Sequence, residues 1–403
     1  ETHLWDKDDL LDVRDAISSA TFKTAAEQLK DEAEKLLGTL PFSVTNKTAA
    51  PAGIHQFTTY STYAWPCNAT PPGCHPAGKD PPPPPPCDNA TGLPWRGCDG
   101  HPNTKQIAEG DGPRLEAFVH AVTTLSQAAF FFDNATFAAK AGELLTAWML
   151  TPATAMSPDL LYGGIVPGLH DDRGTHDVMI SWRFSSGLVD SVQLLRSFPD
   201  DVWAGGLDAQ LEAWWSTLVA FMVNSNVTQP EFDTVNNHAS WADQTRLALD
   251  LFVGNASDAA ETASGVPKRR LDTQIQPDGS LPYELARSNS VTYTLFDIQA
   301  FVNLGILANS TMDLFAYVSP TGGSIRKCIE YVLPYSSGEK PWPHSQLEPP
   351  PWTNLFPILR VASVAYENPS FEAAICALAN MTAAVYYGSP TNLVYPRKYP
   401  PCM

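Results

Sequence analysis

The sequence predicts an all-α fold, an incomplete (α/α) toroid of helical hairpins. Apolar residues recur at three- and four-residue spacing, as Leu29, Ala33 and Leu37 do before Gly38 ends that pattern. Strand-like alternation of apolar and polar residues is scarce and never sustained. About a dozen helical segments joined by loops rich in Pro, Gly and Asn favour hairpins packed side by side into a ring. Helical spacing marks residues 25–38, 114–132, 136–150, 208–223, 240–253, 293–307, 324–333, 356–366 and 371–387.

Length and composition predict one folded domain. The chain has 403 residues, of which 44% are hydrophobic and 17% charged, enough apolar material for a sizeable core. We expect a single toroid domain over residues 1–403 with a Pro- and Cys-rich insert at about 51–112. The apolar runs fall short of the roughly 20 residues that span a bilayer. A net charge of −18 argues against nucleic acid or a membrane as partners.

Glycosylation sequons indicate secretion. An Asn-x-Ser/Thr sequon that has no proline in its middle position accepts an N-linked glycan in the secretory pathway. Eight are far more than chance supplies, so we expect an extracellular glycoprotein whose leader has been removed. Eight glycans would also crowd many interfaces, which favours a monomer. The sequons begin at Asn46, Asn68, Asn89, Asn134, Asn226, Asn255, Asn309 and Asn380.

The insert contains four of the seven cysteines, Cys67, Cys74, Cys87 and Cys98. A stretch this rich in proline and glycine buries little apolar surface, so disulfides would substitute for a core. Four cysteines allow three pairings, and we expect sequential local pairs. A zinc site is the alternative, although the spacings do not resemble CxxC pairs.

The other three cysteines lie in the C-terminal half of the chain. We expect Cys328 and Cys402 to be bridged, which would tie down the C-terminus. Cys376 lies within a helical pattern and is expected to be a buried free thiol.

Aromatic residues flank the middle of the insert. Tyr60, Tyr63 and Trp65 precede the cysteines, and Pro81–Pro86 forms a run expected to be an extended polyproline spacer. A loop of this length in a compact domain is either functional or disordered. The aromatic side chains would suit a sugar-binding lid, or they would simply pack together to stabilise the loop.

The segment 234–246 carries the strongest chemical signal. Asn236, Asn237 and His238 precede a helical pattern, where amide and imidazole donors at a helix N-terminus would face an anion. About fifty residues later, Arg287 and Tyr293 flank the start of another helix. A single histidine is more often structural, but its combination with Arg and Tyr favours a site.

These residue types suit β-elimination on a 1,4-linked uronate chain. The C5 proton becomes acidic only when the neighbouring carboxylate is neutralised, which an amide, an imidazole and a guanidinium can do together. A base must remove that proton and an acid must protonate O4. Where both atoms lie on one face, as in mannuronate and glucuronate, one tyrosine can do both. In guluronate they lie on opposite faces, and His and Tyr would share the work.

The chain resembles the alginate-lyase superfamily, meaning polysaccharide lyase families 5 and 38. The resemblance rests on "HQFTTYSTYAWP", "GLPWRGCDGHPN", "NNHASW" and "DGSLPYELARSNSVTYTLFD" and extends over nearly the whole chain. It implies an (α/α) toroid and lyase activity on an acidic polysaccharide, without metal or cofactor. It also implies that Asn237, His238 and Arg287 hold the uronate carboxylate and that Tyr293 is the acid and the base. A lid at 55–103 would cover the cleft.

Further substrate contacts are expected around these residues. Asn236 and Trp241 belong to the same motif, and Tyr60, Tyr63 and Trp65 belong to the lid. Arg173, His176 and Arg183, in a segment that differs from the relatives, are expected to bind flanking uronates. Arg183 is alternatively the structural partner of an acidic residue. Another departure is the Arg–Tyr spacing, one residue shorter than in some family 5 lyases.

Two other classes of protein remain as alternatives. A glycoside hydrolase on the same toroid would use two carboxylic acids facing one bond, and acidic residues such as Asp177 and Asp233 are available. A non-catalytic uronate-binding protein would keep the fold but lose Arg287 or Tyr293, and both are present. Mannuronate and glucuronate differ only at C2, so the residues that act at C4 and C5 do not distinguish glucuronan from alginate.

Overall fold

The structure is a computed structural model that describes residues 2–47, 53–72, 74 and 86–401. Helices make up 56% of it and strands 4%, which confirms the all-α class. The α-helices are α1 (Lys7–Asp15), α2 (Lys23–Leu36), α3 (Thr104–Glu109), α4 (Gly112–Phe132), α5 (Ala135–Met149), α6 (Ser185–Leu195), α7 (Asp200–Trp203), α8 (Asp208–Asn224), α9 (Asn237–Phe252), α10 (Ala256–Val266), α11 (Asp272–Gln274), α12 (Pro282–Leu285), α13 (Ser290–Leu307), α14 (Ile325–Ser336), α15 (Leu355–Ala365), α16 (Pro369–Cys376), α17 (Ala383–Gly388) and α18 (Thr391–Val394).

The long helices form two layers. In the inner layer α4, α6, α9, α13 and α15 pack in series, each against the next. Outside this layer, α5 packs on α4, α10 on α9, α14 on α13 and α16 on α15. Helix α8 packs on both α5 and α9. The C-terminal helices α17 and α18 pack on α2 and α1 and bring the end of the chain back to its beginning. The result is a ring of helical hairpins.

The distribution of apolar residues explains which helices lie inside. In α13 buried side chains such as Leu295, Ile298 and Phe301 occur on most faces of the helix, because other helices pack around it. In α2 the burial is restricted to one stripe that includes Leu29 and Ala33, while the other faces carry charged residues. The sequence pattern thus separates helices of the inner layer from those at the surface.

Two helices are long and apolar enough to cross a membrane by length and composition alone. They are α4 and α13, and 67% and 72% of their most apolar windows are buried within the ring. Such burial is typical of core helices in a folded domain. Their apolar character is therefore explained by packing within the protein.

The insert folds back onto the ring through two small sheets. Strand β1 (Thr58–Tyr60) pairs in parallel with β4 (Tyr162–Ile165), and β2 (Ala64–Trp65) pairs antiparallel with β3 (Arg96–Gly97). The buried Asp111 carboxylate accepts hydrogen bonds from Lys47 Nζ at 2.6 Å and from the Thr58 backbone amide at 2.9 Å. We call residues 55–103 the lid. Pro81–Pro85, most of the proline run, lie outside the described residues.

The disulfides correct the expected pairing. Within the lid the bridges are Cys67–Cys87 and Cys74–Cys98, with Cα–Cα distances of 5.7 and 5.1 Å. The expected sequential pairs are wrong, because the lid doubles back and brings cysteines 20 and 24 residues apart into contact. A pattern of loop residues carries no signal for such a reversal.

The C-terminal cysteines also differ from expectation. Cys328 is a buried free thiol on α14, whereas Cys376 is disulfide-bonded. The expectation of a bridged Cys328 and a free Cys376 is therefore wrong. Cys328 lies on the apolar face of α14 with Ile325 and Ile329, which the ring buries. Cys402 lies outside the described residues.

Candidate active site

The start of α9 positions three polar side chains. Asn236 is the N-cap residue, and its side-chain oxygen accepts a hydrogen bond from the backbone amide of His238 at 3.2 Å. Asn237 and His238 occupy the first turn, where the helix dipole favours a bound anion. The helix starts at Asn237, three residues before the predicted Ser240, and all three residues line one cleft.

The buried carboxylate of Glu231 holds His238 in place. Glu231 Oε1 lies 2.6 Å from His238 Nδ1, and its Oε2 lies 2.5 Å from His176 Nδ1. Burial by itself would lower the pKa of His238, but the adjacent Glu231 carboxylate outweighs it and raises that pKa to about 9. The imidazole is thus cationic at neutral pH. Because Nδ1 is engaged by Glu231, Nε2 is the ring nitrogen left to face a ligand.

A second buried carboxylate, Glu284, holds Asn237. It accepts hydrogen bonds from the backbone amide at 2.7 Å and from the side-chain amide at 2.8 Å. Burial raises the pKa of Glu284, although these hydrogen bonds oppose the shift. Glu284 therefore fixes the orientation of Asn237. Asp243, on the same helix as Asn237, pairs with Arg270 at 2.9 Å.

Arg287 and Tyr293 lie together opposite the start of α9. Arg287 follows α12, and Tyr293 is in the first turn of α13, so the guanidinium carbon lies 3.6 Å from the centre of the tyrosine ring. Burial raises the pKa of the Tyr293 hydroxyl, and the Arg287 cation opposes that rise. The arginine therefore favours the phenolate over what burial alone would allow.

The lid contacts both side chains of this pair. Asp99 Oδ1 accepts hydrogen bonds from Arg287 Nη2 at 2.6 Å and Nε at 3.1 Å, and its Oδ2 accepts one from the Ser288 backbone amide at 2.8 Å. The Tyr63 hydroxyl forms a short hydrogen bond with that of Tyr293. The lid thus supplies groups to the chemical centre besides covering it.

The cleft has a volume of about 1340 Å³, enough for several sugar residues. Tyr60 and Arg183 line the cleft, as expected. Arg183 also forms an ion pair with Glu116 at 3.0 Å, which is the structural role given above as the alternative. The structure does not bring Trp241 there, because that ring is 5% exposed and packs on Phe296.

Three further expected contacts lie beside the cleft. Trp65 donates its indole N–H to the backbone of His101 at 2.7 Å within the lid. Arg173 is exposed and is not among the residues that line the cleft. His176 lies behind the cleft wall against Glu231, while its neighbour Asp177 reaches the cleft.

Comparison with known proteins identifies the family. The sequence model of the alginate lyase family matches residues 43–342, most of the chain, and this range contains the whole cleft. The chain belongs to the alginate lyase family. As a member of that family it is a polysaccharide lyase. No curated protein sequence matches the chain.

Solved structures of alginate lyases share the fold. An alginate lyase from Bacteroides ovatus has a TM-score of 0.86 at 27% identity, and the match covers 98% of this chain and 99% of that one. The alginate lyase A1-III from Sphingomonas species A1 has a TM-score of 0.53 at 13% identity, and the match covers 96% of this chain and 99% of that one. A histidine variant of A1-III complexed with a tetrasaccharide has a TM-score of 0.54 at 12% identity, and the match covers 97% of this chain and 95% of that one. At those identities the A1-III structures show the common toroid alone.

No pattern in the sequence marks two of the carboxylates that hold the expected residues. Asp99 lies on a loop and Glu231 in a short 3-10 helix, and no periodicity identifies either of them. The acidic groups that line the cleft are Asp99, Glu116 and Asp177, and the first two are committed to arginines. That arrangement does not offer the pair of free carboxylic acids that glycoside hydrolysis requires.

Proposed function

We propose that this alginate lyase family member cleaves a 1,4-linked polyuronate by metal-free β-elimination. The observation that carries the proposal is that Asn237, His238, Arg287 and Tyr293 line the same open cleft. Buried carboxylates hold the first three of these side chains. Relatives named alginate lyases support alginate as the substrate, and glucuronan presents the same C4–C5 geometry as its mannuronate units.

The cationic donors would neutralise the uronate carboxylate. His238 is held as an imidazolium by Glu231, and Arg287 keeps its charge at any accessible pH. The side-chain amide of Asn237 has two N–H groups, of which Glu284 occupies one. Together they provide a preorganised site for the charge that moves onto the carboxylate when the C5 proton leaves.

Tyr293 is the base and the acid in this scheme. Because an imidazolium cannot accept a proton, we assign the base to Tyr293 and carboxylate binding to His238. The Tyr293 phenolate, which the adjacent Arg287 cation favours, removes the C5 proton. The C–H electron pair then forms the C4–C5 double bond as the C4–O4 bond breaks. Tyr293, now protonated, returns that proton to the departing O4 oxygen.

We propose further that the protein is a secreted, N-glycosylated monomer. All eight sequon asparagines are at least partly accessible, and six of them are exposed. Disulfides in the lid are consistent with an oxidising compartment. Intact mass before and after enzymatic deglycosylation of the secreted protein tests this, and an unchanged mass would contradict it.

The activity is tested by separate incubation with glucuronan, polymannuronate and polyguluronate. Elimination creates an unsaturated uronate that absorbs ultraviolet light, so a rise in absorbance on polymannuronate or glucuronan supports the proposal. New reducing ends without absorbance would indicate a hydrolase. No product from any polymer would contradict the proposal and favour the binding-protein alternative.

A further inference from the structure

A second group of polar side chains lies next to the site and shares the buried carboxylate of Glu231 with it. His176, Asp177 and Glu231 place one ligand atom each within 4.8 Å of one another, and we call them the His176 cluster. His176 Nδ1 lies 2.5 Å from Glu231 Oε2 and 3.8 Å from Asp177 Oδ1. Three donor atoms this close can converge on one small cation.

Two packed 3-10 helices fix these donors. His176 and Asp177 begin the segment His176–Trp182, and Glu231 lies in Gln229–Asp233, which packs against it. Around protein-bound metals, further hydrogen bonds from neighbouring side chains orient the ligands. Two such hydrogen bonds are present here. Ser61 donates to Asp177 Oδ2 at 3.3 Å, and the second oxygen of Glu231 is held by His238 at 2.6 Å.

We propose that the His176 cluster binds a divalent transition-metal ion such as Zn²⁺, and that the bound ion inhibits the enzyme. One imidazole and two carboxylates favour Zn²⁺ over Ca²⁺ or Mg²⁺, which prefer oxygen ligands alone. Three protein ligands leave a coordination position open. Of the three ligands only Asp177 lines the cleft, so an ion held by this cluster would lie at the cleft wall.

The inhibitory part rests on the proposed lyase function. The ion would bind Glu231 on the oxygen opposite the one that holds His238. Bound at Asp177, the ion would occupy part of the cleft that the polymer must fill. The ion and the polymer would therefore compete, raising KM while leaving kcat unchanged.

Binding is tested first, without any polymer. Chelator-treated protein is titrated with Zn²⁺ and, separately, with Ca²⁺ in a calorimeter. We expect one Zn²⁺ per chain and no comparable Ca²⁺ binding. His176→Ala and Asp177→Asn should each weaken Zn²⁺ binding by at least about tenfold. The matched control is His120→Ala, because His120 makes a surface contact with Glu32 at 3.6 Å and belongs to no such cluster.

The outcomes separate the parts of the proposal. Absence of Zn²⁺ binding by the wild type, or unchanged binding by both cluster variants with normal circular dichroism, overturns the site. Inhibition is measured with each variant normalised to its own metal-free rate. We expect Zn²⁺ to raise KM for the wild type and His120→Ala but not for His176→Ala. Zn²⁺ that binds without raising KM contradicts the inhibitory role. Since binding needs no substrate, failure of the lyase assignment would leave that result standing.

Discussion

Asp99 of the lid accepts two hydrogen bonds from the guanidinium of Arg287, so a loop residue holds a side chain of the chemical centre. The Arg287 cation keeps the pKa of this carboxyl below its usual value, even though burial acts in the opposite direction. Asp99 is thus ionised throughout the neutral range. The position of the lid and the position of the arginine are coupled through this ion pair.

Replacing Asp99 should impair catalysis through Arg287. A hydrogen bond to a charged group contributes about 1.5–3 kcal/mol, so Asp99→Ala should lower kcat/KM by roughly one to two orders of magnitude. Asp99→Asn retains an acceptor for the Ser288 backbone amide, so its kcat/KM should fall by less. Initial rates of ultraviolet absorbance measure both variants. Equal rates for the wild type and Asp99→Ala would contradict the coupling.

Removing the Tyr293 hydroxyl should abolish the proton transfers. General acid–base catalysis contributes about 10²- to 10⁴-fold, so Tyr293→Phe should lower kcat by at least that factor. Tyr63→Phe removes only the hydrogen bond to Tyr293 and should cause a smaller loss. Circular dichroism controls for folding, and near-normal kcat in folded Tyr293→Phe would disprove the acid–base assignment.

The pH dependence should report the charge on His238. Because its folded pKa is raised to about 9, the imidazolium binds the uronate carboxylate below that pH and is lost above it. We expect kcat/KM to fall on the alkaline side near pH 9. Glu231→Gln removes the carboxylate that raises the pKa, so its alkaline limb should move to lower pH. A limb that stays in place would show that another group titrates there.

The same linkage predicts a change in stability. The pKa of His238 is about 9 in the folded protein and about 6.5 in the unfolded chain. Its protonation therefore stabilises the fold fully below pH 6.5 or so, and this contribution is lost progressively toward about pH 9. The melting temperature of the wild type should therefore fall between these values by more than that of Glu231→Gln. Parallel melting curves for the two proteins would contradict the contribution of this pair.

The cysteines should differ in reactivity. Cys328 is a buried thiol whose pKa is raised by burial, so native protein should resist alkylation there. Unfolding without reduction should expose Cys328 to the reagent, whereas Cys376 should react only after reduction. Peptide mass mapping distinguishes the two sites. Labelling of Cys328 in the native protein would contradict its burial.

The sequence predicts this fold well because helices leave local signals. The 3.6-residue pattern locates the ring helices, and an N-cap asparagine locates Asn237 and His238 at the start of α9. Contacts between loops leave no comparable pattern. Asp99 lies 188 residues before Arg287, and the lid cysteines pair through a chain reversal, so only the folded chain reveals these relationships.

The two lid disulfides have a consequence for the chemical centre. The ring is held together by packing among long helices, whereas the lid that delivers Tyr63 and Asp99 is held by two short sheets and by Cys67–Cys87 and Cys74–Cys98. Reduction of these two bridges should therefore loosen the groups at the chemical centre while leaving the helical ring intact.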